Sequence, residues 1–316
     1  ARDGQVIDIS GGSVSGDGGS AEFSAHNTGT FAGTVLGNAA PGYRIGTFLI
    51  DPLNANVSGT IAANTTVWAQ EDITIQGNVT INSGVTLTLL ADHLSATPGN
   101  WDDGSGGGVL GTGLIKDPGG NTITASSNTS ALIMYAGGGG IGTSANPLLT
   151  SLNGAGLTVI TNNPSQVGAA KTYIQNDGTG LKIVNIAAAG GTNDNTVSIS
   201  SGGSITQTGA INISGAATSG LELLGAGTYT LNGASNNVPI LAASLTGAGS
   251  LTYVNNAALT LGTVNSTVGI TTAGGLANVS TNAAGTLTAT GAIATSGGNV
   301  TLNSQDALNV NGGITA

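Results

Sequence analysis

The residues best suited to chemistry stand in one segment, where Trp101 precedes Asp102 and Asp103, and where Asp92 and His93 lie a little upstream. A carboxylate pair is what a glycosidase needs to cleave a sugar chain. Loop carboxylates also bind Ca²⁺, so Asp102 and Asp103 are the candidate calcium ligands. The same residues can equally form a tight turn with a packed indole, which requires no activity.

The sequence around these residues does not have the pattern of a known metal or catalytic site. Neither the EF-hand spacing nor the glycine- and aspartate-rich calcium repeat is present. His26 and His93 are far apart and lack HxH or HExxH context, which predicts surface or corner histidines rather than zinc ligands. The cationic residues that a lyase would gather around its carboxylates are scattered along the chain: Arg2, Arg44, Lys116, Lys171 and Lys182. We therefore expect no enzyme, no catalytic residue and no cofactor.

The rest of the chain alternates apolar residues with small polar ones. Residues 197–211 recur as residues 300–314 with apolar residues at matching positions. Neighbouring side chains of a strand point to opposite faces, so each copy turns one face inward. Glycine or asparagine corners separate the short runs, which is typical of a solenoid. Leu287 aligns with Leu308 and Ile293 with Ile314, and both offsets predict a coil of about 21 residues.

The alternation is clearest over residues 66–91, and the predicted all-β fold is a single parallel β-helix over residues 1–316. At this coil length the chain makes about 15 coils and a rod about 70 Å long. Residues 92–120, rich in turn signals, are predicted to protrude as an insertion loop. The predicted inward residues are Ile75, Ile81, Leu302 and Leu308, and their outward neighbours are Thr74, Thr80, Thr301 and Asn309.

Composition agrees with a β-solenoid and excludes several other classes. The 316 residues include 55 glycines, no cysteine and only 6% charged residues, which favours strands and turns over helix. The net charge of −10 opposes binding to nucleic acid. Without cysteine there is no disulfide framework and no thiolate metal site. No apolar run approaches the ~20 residues of a membrane-spanning helix.

These patterns resemble a known family. IDISGGSVSGDGGSAEFSA followed by GTFLIDP, and then coils such as NVTINSGVTLTLLAD, YIQNDGTGLKI, VSISSGGSITQTGAI and GGNVTLNSQDALNVNGGI, resemble the repeat region of filamentous-haemagglutinin-like exoproteins, the two-partner-secretion adhesins of Gram-negative bacteria. The resemblance covers nearly the whole chain. It implies a right-handed β-helix that is exported through an outer-membrane secretion partner and folds outside the cell.

The function that follows from this resemblance is a structural stalk of an extracellular adhesin on the bacterial cell surface. A β-helical polysaccharide lyase or hydrolase and a self-assembling extracellular matrix filament are the alternatives. The coil pattern runs to both ends of the chain, which predicts either end-to-end self-association or neighbouring coils of a longer chain. A glycan or protein on a host or environmental surface is the expected external partner.

Overall fold

The computed structural model describes residues 5–98, 100–101, 111–161, 169–189, 193–233, 235–282 and 285–316. Within these ranges all regular structure is β, and no helix is present that is long and apolar enough to cross a membrane. The predicted parallel β-helix is confirmed, because strands of successive coils pair in parallel along the chain.

The strands of the first half are β1 (Val6–Asp8), β2 (Ser20–Leu36), β3 (Thr47–Ala62), β4 (Asn64–Ala69), β5 (Ile73–Ile81), β6 (Thr86–Ala91), β7 (Leu114–Lys116), β8 (Thr122–Ala125), β9 (Ala131–Tyr135), β10 (Gly140–Ile141), β11 (Leu148–Ser151) and β12 (Gly156–Ile160). Those of the middle are β13 (Thr172–Asn176), β14 (Gly180–Ala189), β15 (Thr196–Ser201), β16 (Ser204–Gln207), β17 (Ile211–Ser214), β18 (Gly220–Gly225), β19 (Tyr229–Leu231), β20 (Ile240–Leu245) and β21 (Leu251–Asn255). The last are β22 (Leu259–Leu261), β23 (Thr263–Val264), β24 (Thr267–Val268), β25 (Ile270–Thr272), β26 (Ala277–Thr281), β27 (Leu287–Ala289), β28 (Ile293–Ala294), β29 (Val300–Asn303), β30 (Leu308–Val310) and β31 (Ile314–Thr315).

The coils are fewer and longer than the sequence suggests. Leu308 pairs with Leu287 and Ile314 with Ile293, so the 21-residue step is confirmed for the last coil. Other steps are mostly longer. One stack among the described residues runs through β2, β3, β4, β6, β9, β12, β14, β16, β19, β21, β26 and β29. Its eleven steps of ~4.8 Å span about 53 Å. The longest stack among the described residues, from β1 to β31, has twelve steps and spans about 58 Å, so the predicted 15 coils and 70 Å are wrong.

The extra residues of the predicted insertion lie between β6 and β7. Ile73 pairs with Ile115, and Thr86 pairs with Ala131, steps nearly twice those of the neighbouring coils. Strand β7, although inside the predicted segment 92–120, belongs to the wall, because it pairs with β5 on one side and β10 on the other. The extra residues therefore end before Leu114.

The interior is a continuous apolar core that the strand alternation builds. Ile75 and Ile81 are fully buried, as predicted, and Leu302 packs against the core. Leu308 is 46% exposed, because it lies in the last coil and only its inner neighbour Leu287 covers it. The core also encloses Tyr229 and Tyr253 completely, two bulky side chains that the sequence did not mark as interior.

Buried asparagines satisfy the backbone where strands meet at corners. Asn255 accepts a hydrogen bond from the backbone N–H of Val238 at 3.0 Å and donates to the carbonyl oxygens of residues 238, 257 and 258. Asn236 accepts from the N–H of Ile211 at 2.9 Å and donates to two carbonyl oxygens. A corner interrupts the backbone ladder, so these side chains supply partners that the neighbouring coil does not.

Each coil carries three strand segments, and their layout changes near the middle of the rod. Strand β14 pairs with the single strand β12 below it, but above it pairs with two strands, β16 and β17. A bulge between Leu157 and Thr158 in this pairing leaves Val184 unpaired and 41% exposed. A new corner therefore arises within β14.

The strand stacking also shows that the two copies of the sequence repeat, 197–211 and 300–314, do not lie directly above each other. Val300 stacks through Ala277, Leu251 and Tyr229 on Ile205. The 197–211 and 300–314 segments both contain three strands of a coil, but they begin on different faces. Because all three faces share the same alternation, the apolar pattern does not distinguish one face from the next.

Candidate functional site

The described residues of the predicted aromatic and acidic segment form a partly buried cluster just after β6. His93 is fully buried, its ring lies 4.3 Å from that of Trp101 and 5.5 Å from that of Tyr135, and its Nδ1 is 2.9 Å from the carbonyl oxygen of Ala91. Burial lowers the pKa of His93 to about 4. A neutral imidazole packed against two aromatic rings is a structural contact. Of the predicted surface or corner positions, His93 therefore occupies a buried corner, directly after the end of β6.

Of the carboxylates of this segment, that of Asp92 lies among the described residues. Asp92 is fully buried with a φ of 65° and accepts a hydrogen bond from the N–H of Gly111 at 3.1 Å. Asp102 and Asp103, the predicted calcium candidates, lie outside the described residues. His26 is exposed on β2 and contacts Asn27. Among the described residues, no three acidic or histidine side chains gather as metal ligands.

A different region brings polar side chains together, on the outer face of β13, β15, β18 and β20. The register aligns Tyr173, Ser198 and Glu222 in one row and Gln175, Ser200 and Leu224 in the next. Small serines lie between larger side chains on both sides, so the face is hollowed into a groove of about 410 Å³. Ser144 and Pro147 also line the groove.

A β-hairpin forms one wall of this groove. Strands β23 and β24 pair antiparallel, and Asn265 at their turn has a φ of 51°, as two-residue hairpin turns require. Val264 is buried against Gly220, where a Cβ would come within 2.7 Å of the valine side chain. Glycine at this position therefore lets the hairpin lie directly on the wall.

Hydrogen bonds fix the hairpin turn to the groove floor. Glu222, which is 4% exposed, accepts hydrogen bonds from the Asn265 amide at 2.8 Å and from the Thr267 hydroxyl at 2.7 Å. The Tyr173 hydroxyl donates to the amide oxygen of Asn265 at 3.3 Å. The hairpin thus covers the row that contains Ser198 and leaves the row that contains Ser200 open.

An ion pair lies near the groove, where Lys171 Nζ is 2.9 Å from Asp194. This hydrogen bond raises the pKa of Lys171. Burial opposes ionisation of Asp194, but its hydrogen bonds with Lys171 and Thr196 hold its pKa below the usual value. Burial raises the pKa of Tyr173, so its hydroxyl remains a neutral donor at pH 7.

Sequence reasoning did not find this groove, although two signals for it exist. Glu222 is the single charge in the apolar run GLELLG, and residues 263–268, TVNSTV, place Asn-Ser between two Thr-Val pairs, a hairpin pattern. The scattered cations predicted from the sequence include three that form ion pairs: Arg44 with Asp17, Lys116 with Asp72, and Lys171 with Asp194.

The stacked coils and the absence of helix among the described residues define the chain as a parallel β-helix, and the groove described above lies on its outer face. Comparison with known proteins gives no match to a family model, to a curated protein or to a solved structure.

Proposed function

We propose that this chain is a structural stalk segment of an extracellular adhesin on the surface of a Gram-negative bacterium. The observation that carries the proposal is the unbroken parallel ladder from β2 to β29, which makes one elongated body over the described residues. Such a body holds a contact point at a distance from its base, because each coil is fixed by its neighbours. The sequence resemblance to filamentous-haemagglutinin-like repeats supports this role and an extracellular location.

The last coil supports assembly into a longer rod. Leu308, Val310 and Ile314 are 41–47% exposed, whereas the residues beneath them, Leu287 and Ile293, are fully buried. A further β-coil stacked on this surface would bury the three side chains and pair the open strand edges.

Immunogold electron microscopy of the producing cells tests the stalk proposal. Antibodies raised against the purified chain are expected to label thin projections outside the outer membrane, and protease added to intact cells should remove the label. Label confined to the cell interior, or resistant to external protease, would overturn an extracellular stalk.

The enzymatic alternative has a separate test. The purified chain is incubated with bacterial and plant polysaccharides, and new reducing ends or unsaturated products are measured. The stalk proposal expects no turnover. Turnover that Asp102→Ala and Asp103→Ala abolish would instead identify a polysaccharide-active enzyme.

A further inference from the structure

The part of the outer groove that the hairpin leaves open, the row of Gln175, Ser200 and Leu224, combines features that a ligand site requires. Its floor offers the amide of Gln175, the hydroxyls of Ser200 and Ser244 and the apolar side chain of Leu224, while Tyr173 stands at its side. Sites for small molecules are concave, partly apolar and equipped with a few convergent polar groups. A volume of about 410 Å³ lies within the usual range of ~300–1,000 Å³ for such sites.

The hydrogen-bonding groups of the groove suit a ligand rich in hydroxyls. Serine hydroxyls both donate and accept, and an amide does the same through its two ends. These groups can therefore donate a hydrogen bond to a ligand hydroxyl or accept one from it. Leu224, Pro147 and the Tyr173 ring offer the apolar contact that the C–H face of a sugar ring makes.

Charge argues against an anionic ligand. Glu222 lines the groove, and the charges of Lys171 and Asp194 nearby balance each other in their ion pair. No cationic side chain lines the groove among the described residues. A carboxylate, sulfate or phosphate on the ligand would therefore meet uncompensated negative charge.

The wall of the groove is held in place before any ligand arrives. The Asn265 side chain is hydrogen-bonded to both Tyr173 and Glu222, and Val264 packs against Gly220. A site fixed in this way loses little conformational entropy on binding.

We propose that this groove, between the hairpin β23–β24 and the face of β13, β15, β18 and β20, binds a neutral saccharide of one or two residues. This proposal does not depend on the stalk role, because a sugar site on a β-helix serves an adhesin and a soluble protein alike.

An array of neutral and acidic oligosaccharides, followed by calorimetric titration of each hit, tests the proposal on the whole chain. We expect at least one neutral member to bind, with no preference for sialylated or sulfated analogues. Ser200→Leu fills the open floor and should weaken binding at least tenfold. Ser280→Leu, the same change at an outward serine of β26, is the matched control and should leave binding unchanged.

Three results would overturn the proposal. They are the absence of binding by any neutral member, a preference for anionic members, and binding that persists in Ser200→Leu. Circular dichroism of both variants, expected to match that of the parent chain, separates loss of the site from loss of the fold.

Discussion

Replacement of Asn255 with leucine tests whether buried corner asparagines hold the coils together. Asn255 is fully buried, and its amide makes contacts with the N–H of Val238, the hydroxyl of Tyr253 and three backbone carbonyls. Leucine has the same number of side-chain heavy atoms but none that is polar. The substitution therefore leaves the Val238 N–H and the Tyr253 hydroxyl buried without this acceptor.

The expected cost follows from those two donors. Each buried donor left unsatisfied costs about 1–3 kcal/mol, so loss of the acceptor for both donors should lower the free energy of unfolding by about 2–6 kcal/mol. The carbonyl oxygens add less, since each has a second lone pair for another partner. Because a whole domain is stable by only about 5–15 kcal/mol, this loss should be easy to measure.

Urea unfolding followed by circular dichroism measures the total effect, and hydrogen exchange resolved by mass spectrometry locates it. Faster exchange is expected in strands β19 to β22, around the corner that Asn255 joins. Asn256→Leu is the matched control, because Asn256 is the exposed neighbour and its substitution should change stability by no more than about 0.5 kcal/mol. Equal losses in the two variants would refute the role assigned to Asn255.

Three further predictions test the register, the aromatic cluster and the hairpin. Ile75→Asp buries a carboxylate without a partner and should lower the free energy of unfolding, measured in urea, by several kcal/mol. Thr74→Asp, on the outer face, should lower it little. Equal losses of stability in the two variants would refute the register. The pKa of His93 is about 4 in the folded chain and about 6.5 in the unfolded chain, so the unfolded chain binds the proton first as the pH falls. The free energy of unfolding should therefore fall by up to about 3 kcal/mol between pH 6.5 and 4. An unchanged urea midpoint across that window would contradict this. Glu222→Leu removes both acceptors of the hairpin turn and should speed hydrogen exchange over residues 263–268 with little change in melting temperature; unchanged exchange there would show that the turn is held by other contacts.

The sequence predicts the fold class well, because strand alternation is a local signal. Ile75 and Ile81 could be placed inside from their own neighbours alone, and the stacking of Leu308 on Leu287 followed from one clear repeat. The number of coils could not be predicted in this way. Corners take varying numbers of residues, as the step from Ile141 to Thr172 illustrates, and no local pattern fixes their length.

The groove was not predicted, because it depends on pairing across coils. Tyr173, Ser198 and Glu222 lie about 25 residues apart in sequence and become neighbours only through the register of β13, β15 and β18. Asn265 joins them from a hairpin still further along the chain. The Trp101 cluster was closer to prediction, since His93 and Trp101 are near each other in sequence.

The shift of the 197–211 and 300–314 segments by one face bears on how such chains diverge. A duplication or deletion of one strand with its corner would preserve the apolar core and rotate every later outward residue to the next face. The smallest insertion or deletion that keeps the core intact is then one strand with its corner, a third of a coil. Alignment by apolar pattern alone would match Val300 to Val197, although Val300 lies above Ile205, and would assign the groove-lining positions to the wrong side of a relative. Homologous surface sites in such rods are therefore best identified by strand stack.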